Sequence, residues 1–335
     1  MSGPRRAAPG GRARVLLGLL LALLMLLPFV VNPYLLSVLT LILYLAYVGQ
    51  AWNVMMGFAG QLSLGHSLYV GLGAYVSAAL FVHYGVPPAL GFLAAILVAL
   101  VFGAAIGFLA FRFGVSGVYF ALLTIAFAEF TRIGFDHFDW VGGSGGFFLK
   151  VAQRDYNDLV NLRGSPEMFY YLLLAMTAGC FLLCHRLMQS RIGFYWLAIR
   201  EDQEAAQAVG IDVFRYKMLA VMLSAALASL AGVFTAFFNN NLFPFQIFGI
   251  EKSIEIILGP IIGGLGTLFG PILGAFVLTV LAEGLRGTME ALGVVLPGVK
   301  QVFYGICLLF VIMFLPHGIW PSLRRRLGLD SDGRR

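Results

Sequence analysis

The chain has 335 residues, of which 60% are hydrophobic and 11% charged, with a mean hydropathy of +0.90. Soluble domains carry about a quarter charged residues, so this composition excludes an ordinary soluble enzyme and points to an integral membrane protein of about ten spans of ~20 residues. The net charge of +6 is no sign of nucleic-acid binding, because the basic residues flank apolar runs and so report orientation.

Residues 1–14 are polar and basic, with Arg5, Arg6, Arg12, Arg14 and no acid. The apolar run 15–31 has the charge pattern of a secretory leader, but Pro28-Phe-Val-Val-Asn-Pro33 offers no small-x-small cleavage site. It is expected to be a retained first span with a cytosolic N-terminus. Further spans are expected at 35–56, 67–83, 89–111, 117–135, 168–188, 218–238, 253–268, 271–286 and 297–315. Between the fifth and sixth, 136–167 is polar and glycine-rich and contains Gly142-Gly-Ser-Gly-Gly146. It is too irregular to cross lipid and longer than most connections, which marks a functional surface loop. With ten crossings both termini share one side. Fifteen of the 22 basic residues then fall on that side, three lie in the opposite loops and four sit at or within span ends. This positive-inside bias makes 189–215 a cytosolic loop, 136–167 a periplasmic one, and 316–335 a cytosolic basic tail behind a membrane domain of 15–315.

The longest charged interruption in the second half is 198–217, AIREDQEAAQAVGIDVFRYK. Asp202 can accept hydrogen bonds from a first helical turn, and Glu204 places negative charge at the positive end of that helix. Gly210 supplies the left-handed stop, and Asp212 can cap the next helix. Ala205, Ala208 and Val209 fall on one face at helical spacing and leave a shallow surface of small side chains. Such a helix suits docking of another protein; the plainer alternative is a connecting loop.

The second informative stretch is 60–75, GQLSLGHSLYVGLGAY. Its glycines and polar groups weaken a continuous helix at membrane depth, where broken backbone is tolerated only beside protein or a water-filled cavity. Gln61, Ser63, His66 and Ser67 would then line a path, with Gly71 and Gly73 allowing close packing. The alternative is a glycine-rich helix interface with its polar groups satisfied locally. The pattern Gly65-x7-Gly73-Ala-Tyr75 recurs as Gly266-x7-Gly274-Ala-Phe276, either the vestige of a duplication or a coincidence of composition. Glu129 and Arg132, like Glu283 and Arg286, pair at i, i+3 within membrane segments. Such ionisable residues are costly in lipid and often functional, although a pair near the interface can simply neutralise itself.

No lysine among Lys150, Lys217, Lys252 and Lys300 follows a glycine, so the phosphate cradle G-x-x-x-x-G-K-[ST] is absent and nucleotide hydrolysis would need another chain. The five histidines are scattered. Cys180, Cys184 and His185 share one helix but read as packing, and neither a disulfide framework nor a metal site is indicated.

Six stretches, GQLSLGHSLYVGLGAY, VYFALLTIAFAEF, GGSGGF, AIREDQEAAQAVGIDVFRYK, GGLGTLFGPILGAF and LPHGI, resemble in order the signatures of the M-type permease of branched-chain amino acid ABC importers. Within them Glu204-Ala205-Ala206-x3-Gly210 resembles the EAA loop that docks into the ATPase subunit. The resemblance implies an all-α polytopic membrane bundle with a glycine-rich broken region and a cytosolic coupling helix. Glu204, Ala205, Ala206, Ala208 and Gly210 would couple to the ATPase; Gln61, Ser63, Ser67, Gly71, Gly73 and Glu129 would lie on the translocation path. It further implies a sister H-type permease, two ATPase subunits carrying ATP and Mg, and a periplasmic amino-acid-binding protein, with no cofactor on this chain, which sits in the lipid of the bacterial inner membrane. Leucine, isoleucine or valine is the expected cargo; urea, short-chain amides or aromatic acids are the alternatives within the family. A secondary transporter would need no docking helix, and a membrane-bound enzyme would need a catalytic constellation that the chain does not carry.

Overall fold

The computed structural model describes residues 18, 21–149, 157–291, 299–315 and 318–326. In chain order its helices are α1 (Pro33–Asn53), prolonged by a π-helical turn (Val54–Phe58), α2 (Ser67–Tyr84), α3 (Pro88–Arg112), α4 (Gly117–Asp136), α5 (Pro166–Gln189), α6 (Arg191–Glu201), α7 (Gln203–Ala208), α8 (Val213–Asn239), α9 (Pro244–Phe248), α10 (Ile250–Gly263), α11 (Gly270–Ala291), α12 (Val299–Phe314) and α13 (Ile319–Arg326). The two-residue strands β1 (Phe147–Phe148) and β2 (Asn241–Leu242) pair antiparallel.

Seven helices among the described residues, α1 to α5, α8 and α11, are long and apolar enough to cross a membrane, so the chain is an all-α, multi-pass membrane bundle. The expected spans at 253–268 and 297–315 are instead the 14-residue α10 and the 16-residue α12. At ~1.5 Å per residue α10 reaches only about 21 Å, short of a ~30 Å hydrocarbon core. Gly249 and Gly264 interrupt the chain at its two ends. Of the expected first span 15–31, residue 18 and residues 21–31 are described, helical to 26 and then a 3-10 turn at Leu27–Phe29; its other residues, with 1–14 and the end of the basic tail, lie outside the described residues.

Local chemistry sets the helix starts. The Asn32 side chain accepts from the Leu35 N–H at 2.8 Å ahead of Pro33, and Ser165 caps α5 ahead of Pro166. Proline is tolerated in a first turn because its missing N–H has no intrahelical partner there.

Small residues then decide what packs on what. Gly91, Ala95, Ala99, Gly103, Gly107 and Ala110 form one stripe along α3, all buried. A Cβ added at Gly103 would come within 3.1 Å of Ala225 on α8, and one at Gly107 within 2.8 Å of the Met218 sulfur. Such backbone approach is the main source of helix affinity in lipid, where apolar burial between helices gains little. The opposite side of α3, with Leu93, Leu97 and Val101, is exposed. In the most apolar stretch of α1, 72% is buried, against 28% for α3, α4 and α11, so α1 runs through the centre. Helix α8 packs on α2 and α3, and α10 and α11 form a hairpin whose contact is glycine-lined by Gly259, Gly263, Gly270 and Gly274.

Candidate functional site

The stretch 198–217 folds as its capping residues require. Asp202 leaves the helical region at φ −155° and its carboxylate accepts from the N–H groups of Glu204 (2.9 Å) and Ala205 (3.0 Å). Gly210, at φ +87°, ends the turn, and Asp212 accepts from the Arg215 N–H at 3.0 Å. Ala206 faces inward and packs with Ile199 and Val213. Glu204, Ala205, Ala208 and Gly210 are exposed, as is Val209 at 78%. Of the five proposed coupling residues, four therefore border one exposed patch while Ala206 seats the helix beneath it. The platform is fixed from behind: the Trp196 indole N–H donates to the Tyr216 carbonyl at 2.8 Å, and the Lys217 ammonium donates to the Gln203 side chain. Arg112, Arg186, Arg191 and Arg200 lie at helix ends at or near this platform, here called the basic end.

The stretch 60–75 breaks where its glycines allow. After the π turn the chain leaves helical geometry at Gly60, φ +71°, and resumes it at Ser67. Its backbone groups find partners on three other elements. The Trp52 indole donates to the Ser63 carbonyl (2.8 Å), and the Thr124 hydroxyl oxygen accepts from the N–H groups of Leu64 (3.1 Å) and Gly65 (3.3 Å). The Ser67 N–H donates to the Ser253 hydroxyl (3.0 Å), which donates to the Ser67 hydroxyl (2.8 Å), which donates to the Phe248 carbonyl (2.8 Å). This serine knot ties the start of α2 to the break between α9 and α10. Satisfying broken backbone by protein is what membrane depth demands.

Gln61, Ser63, His66 and Ser67 are all buried. Gly71 lies against the Phe248 ring and Gly73 against the Ser229 carbonyl, so both serve close packing in this conformation. Among the described residues the Ser63 hydroxyl and His66 Nδ1 have no hydrogen-bond partner. Glu129 is not brought to this group. Its side chain is 47% exposed on α4, and it binds Arg132, which also binds Asp136. The carboxylate is thus neutralised on its own helix face, away from the buried polar group. Glu283 is held by Arg286 at 3.9 Å and accepts from the Tyr34 hydroxyl at 2.9 Å.

The recurring glycine pattern also has a structural counterpart. Gly266, at φ +70°, lies in a second break, 264–269, that leads into α11 as 60–66 leads into α2, and Gly274 packs on the Gly259 carbonyl as Gly73 does on that of Ser229. The two breaks meet at the basic end. Asn53 donates to the Thr267 carbonyl and accepts from the Gly266 N–H, both at 3.0 Å, and the Arg200 guanidinium donates to the Gly57 carbonyl at 2.6 Å. Sequence reasoning passed over both residues. Asn53 carries a local signal, an amide one turn after Gln50 at the end of an otherwise apolar helix; nothing sets Arg200 apart from the other basic residues of its loop.

At the other end, the loop 136–149 and the segment 239–244 are joined. Phe147 pairs with Leu242 and Phe148 with Asn241, and the Leu149 N–H donates to the Asn240 carbonyl at 2.9 Å. Gly146, at φ +88°, faces the Phe243 ring so closely that a Cβ there would collide with it. Beside this ribbon an open depression of about 560 Å³ is lined by Arg132, Asp136, His137, Ser144 and the segment 243–246. Residues 150–156 of the expected periplasmic loop lie outside the described residues.

A bundle of membrane helices with two broken segments and an exposed capped helix at its basic end defines a membrane transport subunit rather than an enzyme. The chain belongs to the family of the branched-chain amino acid transport system permease component, whose model matches residues 34–312. It is 29% identical to the high-affinity branched-chain amino acid transport system permease protein LivM of Escherichia coli, over 99% of this chain and 81% of that relative. It is 25% identical to LivH of Salmonella typhimurium over 82% of this chain and 90% of the relative. A shorter likeness, 30% identity over 38% of this chain and 36% of the relative, links it to the fructose import permease FrcC of Rhizobium meliloti. No solved structure matches the chain.

Proposed function

We propose that this chain is the M-type permease of an ATP-driven importer that passes leucine, isoleucine or valine through a bacterial inner membrane, with the basic end and both termini in the cytosol. The observation that carries the reading is α7, a capped helix presenting small side chains and one acid to solvent on a chain without a nucleotide-binding loop. Such a surface fits a groove on an ATPase subunit, where ATP and Mg would be held. The relatives' names support the cargo: LivM and LivH are both branched-chain amino acid permeases, which also supports a sister H-type permease at this chain's side. A periplasmic binding protein would load the ribbon end.

Transport on this reading is alternating access. ATPase closure moves α7, and the helices entered through the two breaks rock about the serine knot. Gln61, Ser63 and Ser67 then join the path in the opened state, where the unpaired Ser63 and His66 atoms gain partners. Gly71 and Gly73 set the helix contacts along it. Glu129 lies outside that group.

The docking assignment is tested by Glu204→Arg and Gly210→Leu in the assembled importer. Both side chains would sit on the exposed patch, and a Cβ at Gly210 meets nothing within 4 Å, so the fold tolerates the bulk apart from the strain of φ +87°. The expected result is chain retained in the membrane, loss of copurifying ATPase and loss of ATP-driven uptake. Wild-type uptake in both variants would remove α7 from the coupling path.

A further inference from the structure

The last turn of α6 holds an arginine that does not face solvent freely. Arg200 stands two residues ahead of Asp202, the cap of α7, on a helix fixed to α8 through Trp196. One guanidinium nitrogen donates to the Gly57 carbonyl at 2.6 Å, in the π turn that precedes the first break. Two others donate to the Glu201 carboxylate, at 2.7 and 3.3 Å. The contact continues to both breaks. A Cβ at Gly60 would lie 2.9 Å from Arg200 Cγ, and one at Gly266 would collide with the guanidinium itself. Both glycines have left-handed φ, +71° and +70°. Bare backbone is therefore needed on two sides of one side chain. Asn53 binds the Gly266 N–H and the Thr267 carbonyl from the same π-turned helix, so the first break, the second break and α6 share a single junction.

A π turn is a wide, strained winding that often marks a functional site. A carbonyl there, held by a charge that cannot be lost, is a strong and directional link. The arginine is planar and forked, so it holds Gly57 and Glu201 at a fixed angle.

We propose that Arg200 is the positioning residue that transmits movement of α7 to the two broken segments: through it, a shift of the docking helix changes the π turn and the entries to α2 and α11 together. This rests on the docking reading given above. It extends that reading by naming how the motion leaves the loop, and it assigns the π turn as the receiving element.

The test uses the complete importer in proteoliposomes, with ATP in the lumen and the binding protein and labelled leucine outside. Uptake per ATP hydrolysed is compared for wild type, Arg200→Gln, Arg200→Lys and Gly60→Ala. The expected result for Arg200→Gln is full copurification of the ATPases, basal hydrolysis at the wild-type rate, and a coupling ratio lowered roughly tenfold, in line with coupling carried by single contacts. Arg200→Lys keeps the charge and one donor to the Gly57 carbonyl but loses the fork, and restores part of the ratio. Gly60→Ala keeps the charge but presses on Arg200 and lowers the ratio. A wild-type ratio in Arg200→Gln or Gly60→Ala, loss of the ATPases from Arg200→Gln, or no restoration by lysine would each overturn the proposal. Failure of the docking reading itself shows separately, as retained ATPase and uptake in Glu204→Arg.

Discussion

Replacing Gly73 by alanine tests the packing on which the bundle depends. Helices α2 and α8 cross with their backbones in contact at Gly73 and Gly232. A Cβ at Gly73 would sit 2.7 Å from the Ser229 carbonyl carbon and 2.8 Å from its Cα; one at Gly232 would sit 2.8 Å from the Ala74 nitrogen. Carbon contacts are comfortable at about 3.5–4.0 Å, so either alanine drives the helices apart by about 1 Å at the crossing. A gap of that size forfeits roughly a quarter to a half of the dispersion energy of the atoms it separates. Lipid supplies no hydrophobic gain between helices to offset this loss. Overpacking of this kind costs about 1–3 kcal/mol, and a backbone-on-backbone clash belongs at the upper end. By the scaling of domains of 150–250 residues, about 3 kcal/mol lowers Tm by roughly 6–12 °C. The assay is thermal unfolding of the detergent-purified chain by tryptophan fluorescence. Gly179→Ala on α5 is the control, since a Cβ there meets nothing within 4 Å. Equal melting temperatures for the two variants would refute the reasoning.

Two further outcomes follow from the placement of other residues. Gln61→Leu removes a buried amide that donates to the Ala59 carbonyl at 2.8 Å, and it should lower maximal uptake severalfold with the binding protein's affinity unchanged; wild-type uptake kinetics would return 60–66 to plain packing. Asn241→Cys places an accessible thiol on the exposed edge of the ribbon, and an impermeant maleimide should label it from the periplasmic side alone. Labelling confined to the cytosolic side would reverse the topology.

The capped docking helix was legible because its signals are local. Asp202, Gly210 and Asp212 each act on backbone within three residues, and each takes the expected role. The break at 60–66 was legible for the same reason, since Gly60 carries the left-handed turn itself. Partners were not. The serine knot joins residues 186 positions apart, and neither Ser67 nor Ser253 carries a local sign of the other. Hydropathy also overstated α10. Its apolar run continues past Gly264, whereas the helix stops where the chain turns into the second break. For Glu129 the i, i+3 spacing to Arg132 left a path role and a self-neutralised pair both open; the pair forms, and Asp136 at the next helical turn joins it.

The central claim is an ATP-driven branched-chain amino acid permease that works only in a complex. The most direct test is uptake of labelled leucine into proteoliposomes, with this chain alone and with its H-type partner, the ATPases and the binding protein added together. The account predicts uptake only with the full set and with ATP, competed by isoleucine and valine and not by urea. ATP-independent uptake by the chain alone would contradict it, as would a complete complex that carries urea or an amide in preference to leucine.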